Sequence, residues 1–113
     1  MATVTIKVSS TKDTTARMLG AFEGEEQGSF ISFASPELLW KVITAKRWGV
    51  LRAMTGAGPL AIREVSRRVS RDVKSVHGDV QALLKAGVLD RADDGRVLFP
   101  YDEVHVDFVL RAA

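Results

Sequence analysis

Apolar side chains recur at steps of three and four through the middle of this chain, which is the spacing of one buried helix face. The first stripe consists of Ile62, Val65 and Val69. The second stripe consists of Val73, Val76, Val80, Leu83 and Leu84. Asp72 is a good N-cap before the second stripe, and Gly87 suits the left-handed position that ends a helix. The pattern predicts two short helices, the second over residues 73–86.

The connections of the second helix indicate how these pieces are arranged. Only Ser70 and Arg71 separate the first stripe from Asp72, so we expect the two helices to cross steeply rather than fold back antiparallel. After Gly87 the apolar spacing drops to two, and the Asp-Asp-Gly sequence at 93–95 favours a hairpin turn. Two crossed helices followed by a hairpin are typical of a winged helix-turn-helix, whose second helix enters a DNA groove.

The segment before the first stripe predicts two more helices. Ser35 is a suitable N-cap and Pro36 suits the first helical position, which predicts a helix over 36–43. Thr44 can cap the next helix. That helix is expected to carry three apolar side chains towards the core, namely Trp48, Leu51 and Met54.

Alternation of apolar and polar residues predicts three strands outside the helical core, over 3–8, 29–33 and 104–110. The last strand could pair with the first. Between the first two strands, the spacing of Ala16, Leu19 and Phe22 weakly indicates a helix, and residues 23–28 form an acidic loop bounded by glycine. Because DNA binding alone does not require three strands, they are candidates for strand exchange or edge addition with a partner.

These elements together predict an α+β fold, with a tri-helical core, a β-hairpin wing and additional N- and C-terminal strands. Residues 1–34 are expected to form a strand and helix arm that serves as a dimer or partner interface. Residues 35–113 are expected to form the winged helix-turn-helix DNA-binding domain with the C-terminal strand. A chain of 113 residues with 46% hydrophobic content supplies one modest core and not two.

Composition limits where in the cell the protein is expected and which class of partner it is expected to bind. There is no cysteine, so a disulfide framework and a thiolate metal site are both excluded, and a reducing cytoplasm is the expected location. No apolar run reaches the roughly 20 residues of a membrane helix, and no signal peptide is recognisable. Residues 41–96 carry twelve Lys or Arg against six Asp or Glu, a net +6, which leaves −4 for the flanks. A basic centre suits a polyanion.

The candidate DNA-binding residues fall into two groups. On the predicted recognition helix, the side away from the apolar stripe is expected to read bases, through Lys74, Ser75, His77, Gly78 and Gln81. There a lysine can donate to guanine, a glutamine can pair with adenine, and a glycine lets DNA approach the backbone. Phosphate contacts are expected from basic residues around that helix and on the wing, namely Lys46, Arg47, Arg67, Arg68, Arg71, Arg91 and Arg96.

Catalytic chemistry finds little support in the sequence. His77 and His105 lie on different predicted elements and have no metal-ligand spacing, so no enzyme activity, metal or cofactor is predicted. Trp40 and Trp48, on successive helices, are expected to be core or interface anchors rather than a base-stacking platform.

Several short sequences carry a resemblance to known proteins. Residues 59–99 resemble winged-helix repressors of the broad MarR-like kind. A longer stretch, roughly 28–109, resembles a group of small prokaryotic DNA-binding regulators. The similarity lies in Thr44-Ala45-Lys46-Arg47-Trp48, Ile62-Arg63-Glu64-Val65, Asp72-Val73-Lys74-Ser75-Val76-His77 and Pro100-Tyr101-Asp102. Some members of that group look like antitoxins of toxin–antitoxin operons, so the resemblance implies autoregulation and a protein partner as well as DNA.

Three functional hypotheses follow. The first is a sequence-specific regulator that binds double-stranded DNA as a symmetric homodimer and recognises a palindromic operator. The second is an antitoxin that binds a cognate toxin and represses the shared promoter. The third is a winged-helix assembly module without DNA binding, for which Gly78 would be the trace of the lost contact.

Overall fold

The computed structural model describes residues 2–8 and 29–108, and within them the fold is α+β. The elements, in chain order, are β1 (Thr3–Val8), β2 (Ser29–Phe33), α1 (Pro36–Val42), α2 (Ala45–Met54), α3 (Ile62–Val69), α4 (Val73–Lys85), β3 (Asp90–Arg91), β4 (Val97–Leu98) and β5 (Glu103–Asp107). The predicted helix around Ala16, Leu19 and Phe22 and the acidic loop at 23–28 lie outside the described residues.

The N- and C-terminal strands lie in one parallel sheet in the order β2-β1-β5. Val4 of β1 is paired with Val104 and Ile6 with Val106, so the predicted pairing of the two terminal strands is confirmed. Both β1 side chains are fully buried in the same core as the helices. β1 is therefore an interior strand of the chain's own sheet, and strand addition among the described strands is left to β2, β5 and the hairpin.

The three helices α2, α3 and α4 contact one another in every pairing. The predicted stripes supply most of the core between them, with Val50, Leu51, Met54, Val65, Val76, Val80 and Leu83 buried. The predicted end of α4 is also confirmed. Gly87 has φ +79°, and the next N–H, from Val88, donates to the Leu83 carbonyl over 2.9 Å.

Two apolar residues predicted to face the core do not. Val73 is 44% exposed because it is the first residue of α4 and lies beyond the edge of the helical core. Trp48 is 41% exposed, since Val50, Leu51 and Met54 already form the buried side of α2. Its indole instead lines the clefts between α2 and the sheet.

The turn between α3 and α4 is held by its own main chain. Ser70 adopts the left-handed conformation with φ 55°, and the Arg71 N–H donates to the Ser66 carbonyl over 3.2 Å. The buried Ser66 hydroxyl donates in return to the Arg71 carbonyl. The short connection therefore has a defined geometry that fixes where α4 begins.

The predicted hairpin is also present. β3 and β4 are antiparallel, and Gly95 in their turn has φ +87°. Leu60 joins the hairpin from the loop between α2 and α3, since its N–H donates to the Val97 carbonyl over 2.8 Å and its carbonyl accepts from the Val97 N–H over 2.9 Å. The hairpin is thus attached to the helical core at its base.

Candidate nucleic-acid interface

The five residues predicted to read bases share one exposed side of α4. Lys74, Ser75, His77, Gly78 and Gln81 are all exposed, while Val76, Val80 and Leu83 are buried on the other side of the helix. The buried stripe therefore fixes which side of α4 meets solvent. The His77 and Gln81 side chains, one turn apart, approach to 3.5 Å between their Nε2 atoms.

The N-terminus of α4 already carries its own anion. The Asp72 carboxylate accepts from the Ser75 N–H over 2.9 Å and also from the Ser75 hydroxyl, and these two hydrogen bonds lower the pKa of Asp72 below its usual range. A negative group in this position accepts a hydrogen bond from a free main-chain N–H, and its charge interacts favourably with the positive end of the helix dipole. The Ser75 N–H is therefore already engaged within the protein and is not free for a phosphate.

Asp79 on α4 engages two of the arginines expected to contact phosphate. Its Oδ1 accepts from Arg47 Nε over 3.1 Å and its Oδ2 from Arg71 Nη2 over 2.8 Å. Both guanidinium groups are less than a quarter exposed, and Arg47 Nη1 also donates to the Val42 carbonyl over 3.0 Å. Arg47 and Arg71 therefore connect α2 and the turn to α4 within the protein, and their phosphate contact stays a prediction.

Glu64 on α3 engages a second pair of these arginines. It accepts hydrogen bonds from Arg67 and, over 3.0 Å, from Arg68, which lower its pKa to about 2. The carboxylate therefore stays ionised at neutral pH, and the cluster of three charges keeps a net charge of +1. The Arg67 side chain is 72% exposed and projects furthest into solvent, so its predicted phosphate contact remains a prediction.

The two arginines of the hairpin, Arg91 and Arg96, stabilise its turn. Arg91 Nη1 donates to the Gly95 carbonyl over 2.9 Å, and Arg96 Nε donates to Asp94 over 2.7 Å. Both arginines are nevertheless exposed and can also face a phosphate. Lys46, in the first turn of α2, is exposed and makes no polar contact with the described part of the chain. Phosphate contact by these three residues stays a prediction.

Sequence reasoning missed the structural role of Asp79. A weak signal was available, because an acidic residue directly before a buried stripe position, Val80, lies at the edge of the packed face rather than in open solvent. The spacing does not reveal its partners, since Arg47 is 32 residues away in the chain.

The described residues contain neither a metal-binding cluster nor a membrane-spanning helix. Within 2–8 and 29–108, no three His, Asp or Glu side chains come close enough to hold a metal ion. None of the helices there is long and apolar enough to cross a bilayer. An apolar cleft of about 480 Å³ lies between α1, α2 and the sheet, and it is lined by Ile6, Leu39, Trp40, Ile43, Thr44, Ala45, Trp48 and Val106.

A protein-family model described as HVO_A0114 matches residues 42–106, from the last residue of α1 into β5. The matched region contains the three mutually packed helices and the hairpin, whereas β1 and β2 lie before it. No curated protein matches the chain.

Proposed function

The chain belongs to the HVO_A0114 family, and we propose that it is a sequence-specific regulator, a repressor, that binds double-stranded DNA. The observation that carries this proposal is the exposed side of α4, where Lys74, Ser75, His77, Gly78 and Gln81 face solvent while the opposite side is buried against α2 and α3. A helix held in this way can enter a major groove, and its side chains include good donors to base edges. The protein acts by binding and not by catalysis.

The arrangement around α4 supports a winged helix-turn-helix of MarR-like kind. The helices α2, α3 and α4 pack together, and the turn before α4 contains only residues 70–72. The hairpin that follows α4 is tied by Leu60 to the loop before α3. In this proposal α3 and α4 form the helix-turn-helix, and β3 and β4 form the wing beside the phosphate backbone.

The distribution of charge along the chain also supports DNA binding by the helices and the hairpin. The helices and hairpin over residues 41–96 carry a net charge of +6, while the flanks carry −4. Lys46 of α2 and Arg67 of α3, both on helices packed against α4, are exposed to solvent. Each neutralised phosphate releases counterions, so affinity should fall steeply as salt is raised.

The test is binding of the purified protein to its own upstream promoter DNA and to random duplex of equal length, across a salt series. We expect a preference of about a thousandfold or more for the promoter at moderate salt. Equal and weak binding to both duplexes would contradict the proposal. Binding to neither at low salt would instead favour an assembly module without DNA contacts.

Gly78 offers a prediction that separates folding from DNA contact. A Cβ at Gly78 meets nothing within 4 Å, and the same is true of Gly49 in α2. Replacing either glycine by alanine inside a helix should raise the free energy of unfolding by about 0.5–1 kcal/mol, measured in urea. Gly78→Ala should also weaken promoter binding, because its methyl group stands between the helix and the DNA. Gly49→Ala is the matched control and should bind the promoter as the parent does.

An antitoxin function is the second candidate, and exposed apolar residues favour it. Leu38 and Trp40 on α1 are 45% and 55% exposed, which DNA binding does not require. In this alternative the chain neutralises a cognate toxin and represses the shared operon. Co-expression with the product of the adjacent gene should then restore growth that this product arrests. Growth unaffected by that product in the absence of this chain would exclude the alternative.

A further inference from the structure

An apolar surface and an open strand edge lie side by side on this molecule. Trp40, Trp48 and Val106 border the cleft between the helices and the sheet, and they are 55%, 41% and 46% exposed. Trp40 also packs edge-on against Phe108, with ring centroids 5.5 Å apart. Large exposed aromatic residues grouped in this way mark an interaction surface. Among the described strands, which have the order β2-β1-β5, the neighbouring strand β5 is at the edge of the sheet.

Alternate residues of β5 have main-chain N–H and C=O groups that point away from β1 and can pair with another strand. Glu103 is opposite Thr3, and its N–H donates to the Ala2 carbonyl over 3.2 Å. In a parallel ladder alternate residues point their main-chain groups to the same neighbour, so Glu103, His105 and Asp107 bond towards β1. Val104 and Val106 therefore direct their N–H and C=O groups outward, where a new strand would lie.

We propose that two copies of this chain join through β5, antiparallel and with Val106 opposite the partner's Val106. This inference gives a geometry to the symmetric homodimer that the sequence leads us to expect of a DNA-binding regulator, but it rests on β5 and the cleft alone. A two-fold axis makes such a contact self-complementary.

Charge selects this register among the neighbouring ones. Centring on Val106 places His105 opposite the partner's Asp107, and the symmetric pair repeats the contact. Centring on His105 would instead oppose Glu103 to the partner's Asp107, and like charges directly opposite each other are destabilising. Centring on Asp107 would place the Asp107 carboxylates of the two copies directly opposite each other.

One other register remains, centred on Val104, and apolar packing favours the register centred on Val106 over it. Centring on Val104 would pair Glu103 with the partner's His105 but would set Val106 opposite the partner's Asp102, whose carboxylate already accepts the Ala2 N–H over 3.0 Å. Centring on Val106 pairs Val104 with the partner's Phe108 on the side that carries the cleft. The exposed apolar residues of both copies then meet in one continuous layer.

A cysteine scan tests the register directly, because the chain has no cysteine of its own. In the proposed dimer the Cα atoms at position 106 of the two copies are about 5.5 Å apart, within the range that a disulfide spans. Those at position 104 are separated by about 13 Å along the strands. Under mild oxidation most of the Val106→Cys protein should therefore become disulfide-linked dimer. The yield of linked dimer from Val104→Cys and from His105→Cys should be less than a tenth of that.

Sedimentation of the full chain without DNA provides the companion measurement. The parent should sediment as a dimer, and Val106→Pro should sediment as a folded monomer, because it removes an outward N–H that β1 does not use. A monomeric parent, or a disulfide that forms best at position 104 or 105, would overturn the proposal. A dimer cross-linked at 106 that binds no DNA would overturn the proposed function and leave this interface intact.

Discussion

Replacing Asp79 with alanine is expected to lower the free energy of unfolding by about 2–3 kcal/mol, somewhat less than the loss of one partner from a fully buried ion pair. Its side chain is 16% exposed and is the acceptor for both Arg47 and Arg71. Without it, two guanidinium groups that are mostly removed from water lose their counter-charge. Arg71 Nη1 is already buried without a hydrogen-bond partner in the described part of the chain, so that side chain has little alternative bonding.

Glu64→Ala is the matched control for this prediction. Glu64 also accepts from two arginines, Arg67 and Arg68, but these side chains are 72% and 39% exposed. Exposed pairs contribute little, so the variant should lose much less stability than Asp79→Ala. Urea denaturation measures the free energy of unfolding of both variants, and their m-values should equal that of the parent. If Asp79→Ala costs no more than Glu64→Ala, the Asp79 contacts do not hold α2 and α4 together.

Local patterns predicted the helical core and the hairpin because their causes are local. Val76, Val80 and Leu83 lie at helical spacing and are buried as predicted. The Gly87 and Gly95 positions require positive φ, which glycine adopts without a steric penalty. Such features depend on residues within a few positions of each other, so one sequence is enough to recognise them.

The sheet order and the charge pairs depend on contacts that the pattern does not contain. The alternation in β1 and β5 predicted strands and even their pairing, but not that β1 lies in the centre of a parallel sheet. The spacing likewise indicates that Asp79 lies beside the buried stripe of α4 without identifying Arg47 as its partner. Trp48 has helical spacing to Leu51, yet it faces the cleft because other residues fill the core side of α2.

The exposed side of α4 gives the second large expected effect. Lys74→Glu should weaken promoter binding by about 10- to 100-fold relative to the parent, because a good base contact contributes roughly 1–3 kcal/mol of discrimination. Lys74 lies in the first turn of α4, is exposed, and makes no polar contact with the described residues, so its ammonium is available to a base or phosphate.

Lys85→Glu separates position from net charge. Lys85 is exposed in the last turn of the same helix, and the substitution changes the charge of the protein by the same amount. If α4 enters the groove by its N-terminal half, fluorescence titration of promoter DNA should give Lys85→Glu a loss of less than about threefold, as expected for a distant charge screened by salt. Equal losses for the two variants on promoter and on random duplex would mean that the protein attracts DNA by overall charge, and Lys74 would then have no role in reading sequence.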